Sequence, residues 1–270
     1  MRRKRFGTLL PLVPALVAGC VLLPLASAAT GTLALRAEIH WKGDDAECPP
    51  DLPIASECHP HPGGPTLIPG LGEVRQEYLY PLLPGRDAEC RANGGRNVAD
   101  FLARLVVTGK GQITLAVQGT DRCLFGPPSD TVVNVTLPFT VTGGSGEYVG
   151  ASGAGNVAIA GNFSPSFGHA VGVDTWTGTL AVPGLEFDLT PPVLTAPRPK
   201  TIRVSRRAKR VRVVYTATAR DDIDGAVTAT CKPKSGSRFK VGRTAVRCSA
   251  TDTSGNTASA TFTVTVKRRR

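Results

Sequence analysis

The sequence predicts an all-β protein built as two domains, and three observations carry that prediction. Apolar and polar residues alternate over short runs, with 30 glycines and 22 prolines among 270 residues supplying turns between them. The charge changes sign along the chain. Residues 29–188 carry 9 basic and 17 acidic side chains, a net −8, whereas residues 189–270 carry 19 and 4, a net +15. The length itself has a prior of about two domains. Hydrophobic residues make up 41% and aromatic residues only 6%, so the cores rely on Val, Ala, Leu and Thr.

Residues 1–28 read as a signal peptide and not as part of the fold. Arg2, Arg3, Lys4 and Arg5 form a basic start, an apolar run extends from Phe6 to Leu25, and Ala26-Ser27-Ala28 is a small-residue cleavage site. Pro11, Pro14 and Pro24 argue against an anchor, so no transmembrane segment is expected after processing. Val17-Ala18-Gly19-Cys20 has the form of a lipobox, which would leave Cys20 as a lipidated first residue. The apolar residues that follow, Val21 to Leu25, argue against it. The expected location is secreted or cell surface. Arginine outnumbers lysine 23 to 9, a usage that suggests a GC-rich bacterial genome.

Setting Cys20 aside leaves Cys48, Cys58, Cys90, Cys123, Cys231 and Cys248, an even set that suggests three disulfides in an oxidising compartment. No pair is spaced as CxxC, which weakens redox and zinc-knuckle readings.

Within residues 29–188 the strand signals run in order. Thr32 to Ile39 alternates, Val74 to Tyr80 is strand-like, and Phe101 to Thr108, Gln112 to Gln118 and Thr131 to Val141 follow at short spacing. The run Phe139-Thr140-Val141-Thr142-Gly143-Gly144-Ser145-Gly146-Glu147-Tyr148-Val149-Gly150-Ala151-Ser152-Gly153-Ala154-Gly155, with the strand Trp176-Thr177-Gly178-Thr179-Leu180, resembles the glycine-rich hairpin of allene oxide cyclase and dirigent-type barrels, a pattern seen in secreted bacterial proteins. That resemblance implies an antiparallel β-barrel of about eight strands with alternating faces. Three connectivities are open to the four cysteines here, with local pairing of Cys48 with Cys58 and of Cys90 with Cys123 preferred.

The domain boundary falls at Leu189-Thr190-Pro191-Pro192, where proline-fixed backbone coincides with the charge reversal. Beyond it, Val211, Val213, Tyr215, Ala217 and Ala219 share one face, as do Val227, Ala229 and Cys231, and Val246, Cys248 and Ala250. Both cysteines then point inward, and a Cys231–Cys248 bridge follows. Ala260, Phe262, Val264 and Val266 supply the last strand, fed by a turn at Asp252-Thr253-Ser254-Gly255-Asn256. Asp188 with Thr190-Pro191-Pro192, the run from Asp221 to Cys231, and Val246 to Asp252 resemble the hyalin repeat. That family implies an extracellular immunoglobulin-like β-sandwich of adhesion and matrix proteins over residues 189–270.

No residue set forms an identifiable catalytic site, and no cofactor or metal is expected. His59 and His61 form an HxH pair that can ligate copper or zinc, but with no third ligand nearby they read as part of an exposed, disulfide-tethered loop. Asp221, Asp222 and Asp224 look like the start of a calcium loop, yet no glutamate completes it, and a capped turn is the simpler reading. The Gly143 to Gly155 run lacks the lysine and helix of a phosphate cradle. Glu147, Asp174 and Glu186 would form a carboxylate set only if they met in a barrel mouth.

Arg203, Arg206, Arg207, Lys209, Arg210 and Arg212, with Lys267, Arg268, Arg269 and Arg270, are the candidate anion-binding residues. The expected function is non-enzymatic: a secreted or cell-surface binding or adhesion protein tethered through this basic module to an anionic cell-wall polymer or polysaccharide. No nucleic acid partner is expected. Two alternatives stand beside it, a barrel that carries a small apolar ligand or acts as a cyclase-like enzyme, and a purely structural matrix component.

Overall fold

The computed structural model describes residues 31–43, 47–53, 56–86, 88–92, 95–124, 131–164 and 169–269; the proposed signal segment, Cys20 and Arg270 lie outside the described residues. The first region runs β1 (Thr32–Gly43), β2 (Glu57–Pro60), β3 (Gly63–Ile68), β4 (Gly72–Glu77), β5 (Leu79–Pro84), α1 (Ala88–Ala92), β6 (Arg96–Val98), β7 (Phe101–Val107), β8 (Gly111–Val117), β9 (Thr131–Gly146), β10 (Ser152–Ser164) and β11 (His169–Ala181). The second runs β12 (Val193–Thr195), β13 (Lys200–Val204), β14 (Arg210–Arg212), β15 (Thr218–Asp221), β16 (Gly225–Val227), β17 (Ala229–Lys232), β18 (Arg238–Lys240), β19 (Gly242–Thr251) and β20 (Thr257–Arg268).

Eight strands close into an antiparallel barrel in the order β1-β11-β10-β9-β8-β7-β4-β3. Closure leaves no free edge in the wall. Strict alternation along β1 buries Leu33, Leu35, Ala37, Ile39 and Trp41, and the interior is filled by side chains such as Leu105, Leu115, Leu137, Ile159 and Trp176. At about 25 cal/mol per Å² of apolar surface removed from water, this cluster is the main source of barrel stability. The glycine-rich hairpin joins β9 to β10 as the resemblance implied. Gly146 and Gly150 take positive φ, 63° and 76°, and Tyr148 is buried at its tip.

Register orients the barrel. Thr32 faces Ala181 at one end of β1 and Gly43 faces Ala170 at the other. The first end carries the Ile68–Gly72 turn, and it is this end that meets the second region. A Cβ on Gly72 would lie 2.5 Å from the Thr253 carbonyl oxygen, and one on Gly255 would lie 2.8 Å from that of Ile68. Glycine is required at both positions by that approach, and both have positive φ.

One expected strand divides. The run from Val74 to Tyr80 continues in the wall only as β4, and after Tyr78 the chain leaves as β5 to pair with β2 and β6. The Cys48–Cys58 disulfide holds β2 in place as that outside partner, and Pro81 and Pro84 lack the donors that continued wall pairing requires. A second bridge, Cys90–Cys123, fastens α1, so local pairing is the connectivity found.

The second region layers a four-stranded sheet, β13-β20-β19-β17, with a three-stranded sheet, β12-β15-β16, and the pair β14-β18. Its core is small: Val213, Tyr215, Phe239, Val246, Phe262, Val264 and Val266 lead it. Cys231 and Cys248 face each other across β17 and β19 and form the third disulfide. The inward parity of Val211 to Ala219 holds, but the run is not one strand. Ser235 takes the place of a ladder neighbour at Tyr215, accepting from its amide at 3.0 Å and donating to its carbonyl at 2.7 Å. Among the described residues no helix is long and apolar enough to cross a membrane.

Candidate functional site

The basic residues are gathered by strand pairing. β13 is the edge of its sheet and pairs parallel with β20, so Arg203 stands opposite Lys267 and Val204 opposite Arg268. The Arg269 amide closes the end of this ladder on the Val204 carbonyl at 2.8 Å. A turn closed by the Ala208 amide on Ser205 at 3.1 Å carries Arg206 and Arg207 and leads into β14. There Arg210 faces Lys240 and Arg212 faces Arg238. Arg203, Arg206, Arg207, Lys209, Arg210, Arg212, Lys267, Arg268 and Arg269 are all exposed, and no ion pair among the described residues engages any of them. Like charges directly opposite one another are destabilising by a few tenths to about 1 kcal/mol per pair. Such a surface can bind a polyanion by charge neutralisation and cannot bind a neutral ligand by the same means.

A second assembly lies inside the barrel and was not gathered from the sequence. Asp174, wholly buried on β11, accepts from Trp41 Nε1 at 2.8 Å, from Gln76 Nε2 at 2.6 Å and from the Tyr78 hydroxyl. Trp176 Nε1 donates to Gln76 Oε1 at 2.9 Å, and His61 Nδ1 lies 2.9 Å from the Tyr78 hydroxyl. The His61 ring stacks on Trp41 with centroids 3.7 Å apart. Burial first, and then Asp174, raise the Tyr78 phenol well above its ordinary value, so it works as a hydrogen-bond donor and not as a base. Tyr78 also lines a cleft of 560 Å³ with Glu77, Asp100, Phe101 and Arg104. These residues lie at the barrel end remote from the second region.

One expectation is corrected. His61 is not in an exposed loop: it is wholly buried against the rings of Trp41, Tyr78 and Tyr80, while the His59 side chain lies outside the described residues. The ring nitrogen beside Tyr78 is therefore engaged inside the barrel and not offered to solvent. Asp174 does not join Glu147 and Glu186, because its position on β11 faces Gln76 and Tyr78 across the lumen. The inward parity of Gln76 between Val74 and Tyr78, and of Asp174 beside Trp176, was the sequence signal available for this cluster. Of the calcium-loop candidates, Asp222 is exposed, while Asp224 accepts from the Thr253 amide at 2.6 Å and hydroxyl at 2.8 Å. Asp221 caps its own turn through the amides of Ile223 and Asp224.

Comparison with known proteins resolves the second region. The family described as "HYR domain" matches residues 187–266, so the C-terminal part of the chain is an HYR module. Hyalin of Lytechinus variegatus is 40% identical over 93 residues, covering 33% of this chain and 18% of that protein. Hyalin of Strongylocentrotus purpuratus is 38% identical over 92 residues, 33% of this chain and 8% of that protein. The chain thus spans less than a fifth of the length of these curated relatives, and neither supports the bacterial origin suggested by residue usage. No solved structure matches the chain.

Proposed function

We propose that this chain, with an HYR module over residues 187–266, is a non-enzymatic extracellular binding or adhesion protein whose basic module attaches to an anionic polymer and presents the barrel. The observation that carries this reading is the register of like charges: Arg203 opposite Lys267, Arg210 opposite Lys240 and Arg212 opposite Arg238. Each pair disfavours the isolated module, and a bridging sulfate, phosphate or carboxylate turns each into a two-donor anion contact. Resemblance of the module to hyalin repeats, which occur in adhesion and matrix proteins, supports a surface role. The polymer is a cell-wall polyanion or an acidic polysaccharide.

Retention of the full chain on dextran sulfate against uncharged dextran, measured as salt is raised, tests the reading. The logarithm of the affinity falls linearly with log salt as counterions are released, and neutral dextran retains nothing. Retention that is independent of salt, or unchanged in the Arg203→Ser/Lys267→Ser variant, rejects it.

A second reading rests on the 560 Å³ cleft beside Tyr78, a size suited to a small ligand. The chain-filled barrel interior moves that ligand from the lumen to the rim. Phe101→Ala, which removes one wall of the cleft, then abolishes small-ligand binding while leaving polyanion retention intact.

A further inference from the structure

Three carboxylates spread from residue 188 to residue 252 meet where the HYR module faces the barrel. One oxygen from each of Asp188, Asp221 and Asp252 lies within 4.8 Å of the other two. Asp188 is on the lead-in ahead of Thr190, Asp221 closes β15, and Asp252 opens the turn between β19 and β20. Each is oriented by the protein. The Thr190 amide donates to Asp188 Oδ1 at 2.9 Å, the Ile223 and Asp224 amides donate to Asp221 Oδ1 at 2.9 and 3.0 Å, and the Asn256 amide and Nδ2 donate to Asp252 Oδ1 and Oδ2 at 2.8 and 3.0 Å.

Two oxygens are left over. Asp188 Oδ2 and Asp221 Oδ2 are buried and have no hydrogen-bond partner, and Asp221 as a residue is only 2% exposed. No Lys or Arg among the described residues forms an ion pair with any of the three. Buried carboxylates without a cation are costly, and here three converge. Burial first, and then the neighbouring Asp252, Asp221 and Asp222, hold the Asp188 carboxyl above its ordinary value against the pull of the Thr190 amide.

The geometry points to a divalent calcium site formed by Asp188, Asp221 and Asp252. The donor set is all oxygen, with no imidazole or thiolate to favour zinc. Ca²⁺ takes six to eight oxygens at about 2.3–2.6 Å in adaptable geometry, whereas Mg²⁺ demands near-ideal octahedral geometry and gives up its waters reluctantly, so carboxylates fixed by three separate segments suit Ca²⁺ better. The ion ties the lead-in at Asp188 to two strand ends of the module. The barrel turn at Ile68–Gly72 rests against Thr253 and Gly255 of the same corner, so the ion also sets how the barrel is carried. This inference is independent of polyanion binding.

Isothermal titration of chelator-treated full chain with CaCl₂, paired with thermal denaturation, tests it. The expected result is one Ca²⁺ per chain, Mg²⁺ at least about tenfold weaker, and a rise in the melting temperature of the module of about 10–20 °C at a hundredfold excess over Kd. Asp221→Asn keeps the Oδ1 acceptor for its turn and removes the charge, so it retains the fold and loses at least about tenfold in affinity; Asp188→Asn provides the same reading from the lead-in. Asp222→Asn, exposed and outside the trio, binds normally. Wild-type protein that takes up no Ca²⁺, binds Mg²⁺ equally well, or keeps its affinity in both Asp188→Asn and Asp221→Asn overturns the assignment.

Discussion

The barrel and the HYR module solve the same problem with different resources. The barrel buries a large apolar cluster and closes its own hydrogen-bond ladder, and its two disulfides lie on peripheral segments, β2 and α1. The module has a much smaller core and places its disulfide inside it, between paired residues of β17 and β19. Small domains bury too little surface to rely on it alone. Polar groups follow the reverse pattern: the barrel encloses its polar cluster around Asp174, whereas the module displays its cations.

The largest effect that can break this contrast is Asp174→Ala, which strands the donors of Trp41, Gln76 and Tyr78 and should cost the barrel about 3–5 kcal/mol. Both tryptophans of the chain, Trp41 and Trp176, lie in the barrel, so tryptophan fluorescence during denaturant unfolding reads this loss. Next, Cys231→Ala/Cys248→Ala removes a bridge spanning 17 residues and should cost the module about 3 kcal/mol by the chain-entropy account. Amide exchange then rises through β19 and β20 while the tryptophan transition stays in place. A coincident shift of that transition would show the two regions to be one cooperative unit.

Third, Arg203→Ser/Lys267→Ser should weaken polyanion retention about tenfold at moderate salt and leave both unfolding transitions within about 0.5 kcal/mol. Fourth, alkaline pH should act on the barrel first. Tyr78 is held above its unfolded value by burial, so its contribution is fully present below pH of about 10 and is lost as pH rises from there toward the folded value. Tyr78→Phe flattens that dependence in the tryptophan signal. The smallest effect is expected from Cys90→Ala/Cys123→Ala, with faster amide exchange confined to α1 and its neighbours and the barrel transition unmoved.

Much of the fold was legible because alternation is a local signal. β1, β7, β8 and β20 follow apolar parity residue by residue, and glycine spacing marked the β9–β10 hairpin. The segment from Glu47 to Pro62 gave no such signal, since its prolines at 49, 50, 53, 60 and 62 interrupt any period. Its strand β2 exists through Cys48–Cys58 and β5, and with it came the burial of His61. The Asp174 cluster joins Trp41, Gln76 and Asp174, residues far apart in sequence, and only barrel closure brings them together. The basic residues were legible as a composition, but their opposition across β13 and β20 depends on a parallel register that no local pattern announces.

That parallel pairing has a mechanical consequence. β13 near the start of the module and β20 at its end run in the same direction, matched from Lys200 with Val264 to Val204 with Arg268. Tension that draws these two strands apart along their axes loads the intervening hydrogen bonds together, in shear, instead of opening them one after another as a zipper. A module held through β20 and pulled through the barrel, which leads into β13, would therefore yield abruptly, at a threshold force, and hold its length below it.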